Sequence, residues 1–268
     1  MRVEIDLRAS VNENAGRYFA LSKKFRKKLG GIEKGERELA RKAAAEKAEG
    51  QTHRRTATKK REKKWYEKYH WSFTSEGLLM VAGKDAKSNE NLVTKLMQEG
   101  DLYFHAGIHG AAHTIIKSEG KKIGENSKKQ AAAFAAVFSS AWREKLPGVD
   151  VYSANPEQVT KEAPSGEAIG MGAFMIYGKR EWYKKTPLEF SIGYKKDGDT
   201  LEAFSGHPAA VKARSDFSLP VRFGESSKGD AAKKILGIFR SRLGIKDAFS
   251  HDEIVALLPS GGISVANI

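Results

Sequence analysis

The chain has 268 residues, 40% of them hydrophobic, no cysteine and a net charge of +14. That length suggests one or two domains with room for a real core, and the missing cysteines exclude a disulfide scaffold and a thiolate metal site. No run approaches the ~18 apolar residues of a membrane span, and MRVEIDLRAS lacks the apolar stretch of a secretory signal. The charge points to an anionic partner, with nucleic acid first. It is concentrated: residues 23–64 hold 17 Lys/Arg against 6 Asp/Glu, a net of +11, leaving +3 for the rest.

In chain order, residues 1–10 read as a short extended lead-in, with Val3, Ile5 and Leu7 alternating against polar neighbours. Asn12–Leu29 and Ile32–Glu49 are rich in Ala, Lys, Glu and Arg and read as helices interrupted at Gly30-Gly31 and Gly50. A third helical run covers about Thr52–Tyr69. Apolar residues are too sparse for a long two-stranded coiled coil, so the expectation is a short, basic helical hairpin. A solvated charged linker is the alternative. Trp65, Tyr66, Tyr69, Trp71 and Phe73 then form an aromatic hinge, suited to RNA stacking or, for most of them, to packing under the arm.

His70–Thr74 and Leu78–Ala82 read as strands around a turn at Ser75-Glu76-Gly77. Asp85 or Ser88 caps a helix with Leu92, Val93, Leu96 and Met97 on one face, ended by Gly100. Leu102–Ala106 and Ala112–Ile116 are expected strands flanking Gly107–Gly110. Asn126 or Ser127 opens a long helix to about Leu146. Val149–Ser153 is a strand, 154–170 a polar loop and Met171–Tyr177 another strand. Phe190–Tyr194 and Thr200–Phe204 make a hairpin, Phe217–Phe223 a strand, and Ser227–Leu243 a helix. Ser250 with Glu253 is a capping box for a last short helix, stopped by Pro259. The fold class expected is α+β: a mixed or antiparallel sheet with packed helices, preceded by the basic hairpin.

His105, His109 and His113 are spaced by four, a metal face on a helix, but the glycines between them argue for a turn. Structural or RNA-contacting histidines fit better. Gly83-Lys84-Asp85 with Asn89 lies at a strand-to-helix junction. Its amides could take a phosphate, or Asp85 could be a helix cap. The P-loop spacing is absent. Lys161, the 163–166 loop, Lys179 and Arg180 could join one basic face. No nucleophile–base pair stands out, so no enzyme is expected.

These residues resemble the NFACT family, specifically its RNA-binding half, NFACT-R. The likeness runs through NAGRYF at 14–19, KKWYEKYHWSFTSEG at 63–77, GKDAKSNENLV at 83–93, GDLYFHA at 100–106 and SSAW at 139–142. It continues in VTKEAPSGEAIGMGAFMIYGKREW at 159–182, and the tail strings GHPAAVKAR and IVALLPSGG look most like archaeal members. The resemblance implies binding to rRNA and tRNA on the large ribosomal subunit, in quality control of stalled nascent chains, in the cytoplasm and with no cofactor. The family's N-terminal domain, which holds the acidic–basic pair for tail elongation, is not recognisable here, so that activity does not carry over. An adaptor half of a split factor, binding a separate NFACT-N-type protein, is the alternative. A metal-dependent nuclease built on His105–His113 is a further one. The family's HAD or HAE turn is His105-Ala106-Gly107 here, and the arginine of GRDA is Lys84, which loses a bidentate fork. Lys84, Asp85, Asn89, His105, His109 and Lys161 fall on motif positions. With Lys179 and Arg180 they are the expected RNA-binding residues. The expected domains are a basic arm at 1–69, an NFACT-R-like domain at 70–186 and a small α+β extension at 187–268.

Overall fold

The computed structural model describes residues 4–49, 64–163, 169–198, 200–245 and 248–266. The chain divides into two compact units, residues 1–58 and 59–268.

Among its described residues the first unit is one helix, α1 (Val11–Glu49), of 39 residues. Gly30-Gly31 does not interrupt it, so the two-helix reading with a turn there is corrected. Each glycine costs a helix about 1 kcal/mol against alanine, and strong helix formers on both sides absorb that. Neither glycine has a positive φ. Ser10 starts the helix with a reciprocal pair: its Oγ accepts from the Glu13 amide at 3.3 Å, and its own amide donates to the Glu13 carboxylate at 2.7 Å. The lead-in is a turn at 7–9 rather than a strand. Tyr18 ties it down by donating to the Glu4 carbonyl at 2.5 Å, and Asn14 Nδ2 donates to the Asp6 carbonyl at 2.9 Å. Val11, Tyr18, Phe25 and Ile32 recur every seven residues and are exposed, a coiled-coil period that the two-run reading hid. Val3, Gly50 and most of the third helical run lie outside the described residues. Within that run's end, 65–68 is a single 3₁₀ turn.

The second unit has two antiparallel sheets and a short ribbon, in agreement with the α+β class. The strands β1 (His70–Phe73), β2 (Leu79–Ala82), β3 (Leu102–Ala106), β4 (Thr114–Ile116), β5 (Gly148–Ala154) and, after the ribbon, Glu181–Pro187 form a six-stranded sheet. The ribbon pairs β6 (Val159–Thr160) with β7 (Met175–Ile176), which makes Glu181–Pro187 β8. The six-stranded order is β1-β2-β4-β3-β5-β8. Between β2 and β3 stand α2 (Ala86–Asn91) and a wider π-type turn at Leu92–Leu96, which ends short of Gly100. After β4 come α3 (Glu125–Val137) and α4 (Ser140–Arg143). The single long helix expected to Leu146 breaks at Phe138, because Ser139 Oγ accepts from the Ala141 amide at 3.2 Å and restarts the chain as α4. The strand expected at 171–177 shrinks to β7, since Gly172 takes φ +75° in a turn closed by Ala173 to the Gly170 carbonyl.

Period-2 alternation sorts the sheet's two faces. Met80, Ala82, Phe104 and Ile116 face the core beneath α3; Leu79, Val81, Tyr103 and Ile115 face the other way, onto Leu92 and Val93. Alanines 131, 132, 135 and 136 let α3 sit close on the first face. That core continues into the four-stranded sheet β9 (Phe190–Asp197), β10 (Thr200–Gly206), β11 (Phe217–Ser226) and β12 (Ile263–Val265), ordered β10-β9-β11-β12. Trp142 is fully buried at the join, edge-on to Phe190 and Phe223, and donates to the Gly262 carbonyl at 3.2 Å. Around this sheet lie α5 (Pro208–Arg214), α6 (Lys228–Leu243) and α7 (His251–Leu257). Ser250 and Glu253 form the expected capping box. Strands β6, β8 and β12 and helix α5 are additions to the elements expected from the sequence, β6 lying inside the expected 154–170 loop.

Candidate nucleic-acid interface

The face of the six-stranded sheet away from α3 carries Tyr103 and His105, two residues apart on β3 and therefore on one side. His113 joins them from the start of β4, across an antiparallel pair. These rings border a cleft of about 650 Å³, closed by the 83–86 junction, the 108–112 turn, the 138–140 break and the 172–174 turn.

Its floor is aromatic and neutral. The Tyr103 hydroxyl and His113 Nδ1 are 2.7 Å apart. The His105 ring lies 5.0 Å from His113 and 5.8 Å from Tyr152, and parallel to Tyr103 at 6.3 Å. Phe174 meets His113 edge-on at 5.3 Å. On the far wall His70 stacks on Phe138 at 4.0 Å, and its Nδ1 is buried with no hydrogen-bond partner among the described residues. Burial pushes His113 and His70 down to about 3 and His105 down to about 4. The charges of Lys84 and Lys228 add to the effect at His70. All three rings are therefore neutral at physiological pH. Burial also raises the Tyr103 hydroxyl well above its ordinary value, so the cleft floor carries no formal charge.

Lys84, Asp85, Asn89, His105 and His109 all line this cleft. At the junction, Ser88 Oγ accepts from the amides of Lys84 and Asp85, both at 2.8 Å, and Asp85 Oδ1 accepts from the Ser88 amide at 2.7 Å. Those amides are bonded to Ser88 in the cap of α2, as the helix-cap reading expects. The Ser88 amide holds the Asp85 carboxyl below the usual range. Asn89 locks the wall: its Oδ1 accepts from the His113 amide at 3.1 Å. A Cβ at Gly83 would come within 2.0 Å of that same oxygen, which explains the glycine.

Lys161, Lys179 and Arg180 lie outside the lining. Lys161 Nζ sits 2.6 Å from Glu90 and 4.8 Å from the Phe174 ring centre. Glu90 also accepts from the Gly172 amide at 2.7 Å, so this pair pins the 170–174 turn to α2. Lys161 and Gly172 hold the Glu90 carboxyl below its ordinary value. The Arg180 guanidinium covers Tyr152 at 4.8 Å and donates to the Ile176 carbonyl at 3.0 Å. Lys179 is exposed, and its carbonyl accepts from Gln158 at 2.9 Å. Residues 164–166 of the expected loop contact lie outside the described residues. His105 and His113 come together, but no group of three or more His, Cys, Asp or Glu able to hold a metal forms among the described residues.

Sequence reasoning passed over Tyr103, Tyr152, Phe174, His70 and Arg143 as parts of this cleft. The alternation through LYFHA was enough to find Tyr103 beside His105. The others arrive from distant strands and turns, with no local signal.

Residues 68–178 match the family model for the NFACT protein RNA binding domain. The archaeal Rqc2 homolog aRqcH of Methanocaldococcus jannaschii is 36% identical over 207 residues, covering 77% of this chain and 30% of that protein. The ribosome quality control complex subunit NEMF homolog of Drosophila melanogaster is 32% identical over 214 residues, covering 76% and 21%. The Homo sapiens ribosome quality control complex subunit NEMF is 35% identical over 170 residues, covering 60% and 16%. The chain thus spans less than a third of the length of each of these relatives. A solved structure, the C-terminal of the fibronectin/fibrinogen-binding protein from Streptococcus suis, overlaps 50% of this chain and 49% of that one, at 24% identity and a TM-score of 0.38, too slight a likeness to carry an argument.

Proposed function

We propose, from a chain that belongs to the NFACT family through an RNA-binding domain at residues 68–178, that this protein docks on RNA of the large ribosomal subunit and its tRNA in ribosome-associated quality control. It acts by binding, without catalysis, in the cytoplasm. The observation that carries the reading is an overlap. All but one of the residues lining the cleft, Ser260, fall inside the matched RNA-binding region. The names of the relatives supply the setting, ribosome quality control.

Labour divides along the chain in this reading. The 70–186 region recognises structured RNA by shape and by its polar cleft. The 187–268 sheet stiffens it through the shared core around Trp142. Residues 23–64, with their net +11, add long-range attraction. Each phosphate neutralised contributes about 0.7–0.9 to the slope of log affinity against log salt.

The test is binding of the full chain to purified large subunits across a salt series. Affinity should fall steeply with salt, and deleting residues 23–64 should lower both affinity and slope. Salt-independent binding, or no binding to large subunits, overturns the proposal.

A further inference from the structure

The cations around the cleft are unevenly placed. In its floor, His105 and His113 are neutral at physiological pH. Lys161 is held by Glu90, and Arg180 lies on Tyr152 and the Ile176 carbonyl. The cationic side chains in the lining are Lys84 and Arg143, both exposed at the rim. The one carboxylate there, Asp85, is bonded to the Ser88 amide. A phosphate would find no buried cation at the floor. A flat, neutral ring would find aromatic surface and uncharged donors and acceptors. The volume, about 650 Å³, is in the range of small-ligand sites, roughly 300–1,000 Å³, and exceeds what one nucleotide needs. Unstacked bases are what proteins read on RNA, by stacking on aromatic side chains and bonding to base edges. The wall also has unmet hydrogen-bonding capacity: His70 Nδ1 and Ser140 Oγ have no partner among the described residues.

We infer that the cleft takes one unstacked nucleobase of an RNA strand, seated against the rings of His105 and Phe174, with the adjoining phosphate at Lys84 and Arg143 on the rim. This rests on the RNA-binding reading and deepens it. The contact is with a single base in a pocket, in addition to any contact with the backbone of a duplex. Phe174 is the residue to perturb. It is only partly buried, stands at the cleft edge and can be truncated without opening the core under α3. Stacking one base on one ring is worth about five- to 150-fold in affinity by alanine substitution.

The experiment compares the full chain's affinity for a short single-stranded RNA and for a perfectly paired duplex of equal length, at raised salt to suppress backbone attraction. Wild type should prefer the single strand, and Phe174→Ala should cut single-strand affinity by roughly fivefold or more, with a smaller loss for the duplex, so that the preference shrinks. In parallel, 4-thiouridine RNA crosslinked to the wild type should attach to peptides carrying 103–113 or 172–174. This arm holds even if the variant folds poorly. Equal affinity for the two RNAs, or crosslinks confined to 11–49, overturns the base-in-cleft inference and leaves RNA docking standing. Binding to neither RNA overturns both.

Discussion

Acid should open the cleft before it unfolds anything else. Three histidines in its walls have folded values below the ordinary 6.5: His70 and His113 at about 3 and His105 at about 4. Between 6.5 and those values the unfolded chain binds more protons than the folded one, so stability falls as pH falls. Their contribution is complete above 6.5. Each ring then costs about 1.4 kcal/mol per pH unit, so near pH 5 it costs about 2 kcal/mol, and the three together roughly 6 kcal/mol. That is comparable with the whole stability of many domains, about 5–15 kcal/mol. It is an upper bound, because the wall can open around one ring and charge it at less cost. Burial is the main cause at each ring; Lys84 and Lys228 add to it at His70, Arg180 at His105, and His105 and Lys161 at His113. His70→Phe isolates one ring. It keeps the stack on Phe138 and removes a buried nitrogen that bonds to nothing among the described residues. Urea unfolding near pH 7 and pH 5 should show the variant as stable as wild type at the higher pH and about 2 kcal/mol better at the lower. Identical pH dependence in the two proteins would refute the argument that buried neutral histidines make the domain acid-labile.

Three other outcomes follow from the geometry. Asp101 is buried and accepts from Lys117 Nζ at 2.5 Å, the Gln98 amide at 2.9 Å and the Ser118 amide at 2.9 Å. Asp101→Ala takes the carboxylate from Lys117, whose Nζ keeps only the Leu96 carbonyl and Gln98 Oε1, and should cost about 3–5 kcal/mol in a denaturant melt, with Lys117→Met on the same background recovering part of it. Gly83→Ala forces Asn89 off the His113 amide and should cost about 1–3 kcal/mol, measured the same way. Replacing Gly30-Gly31 by Ala-Ala should raise helicity by circular dichroism and stabilise α1 by about 1 kcal/mol per residue; a fall in helicity would mean that a turn is needed there.

Strands and helices are legible in the chain wherever local chemistry speaks loudly. Ser250 with Glu253, Asp85 before an amphipathic run and the alternation in LMVA and LYFHA each act within a few residues. The resemblance to the NFACT family is legible there too, because unusual strings such as GKDAKSNENLV and VTKEAPSGEAIG stand in order along the chain. Local signals also misled. Gly30-Gly31 reads as a stop, yet flanking helix formers carry α1 through it, and the Ala-rich 126–146 run hides the restart at Ser139. Strand β8, with Glu181, Lys184 and Lys185 exposed, is a strand because β5 pairs with it. Strand β12 has three residues and exists only against β11. The cleft belongs wholly to tertiary structure. Lys84, Asp85, Asn89, His105 and His109 could be named from motifs, but only the assembled fold brings His113 to Tyr103 and Phe174 to His113. Burial keeps those histidines neutral well below pH 6.5, since a ring's charge depends on the water and charges around it and not on its place in the chain.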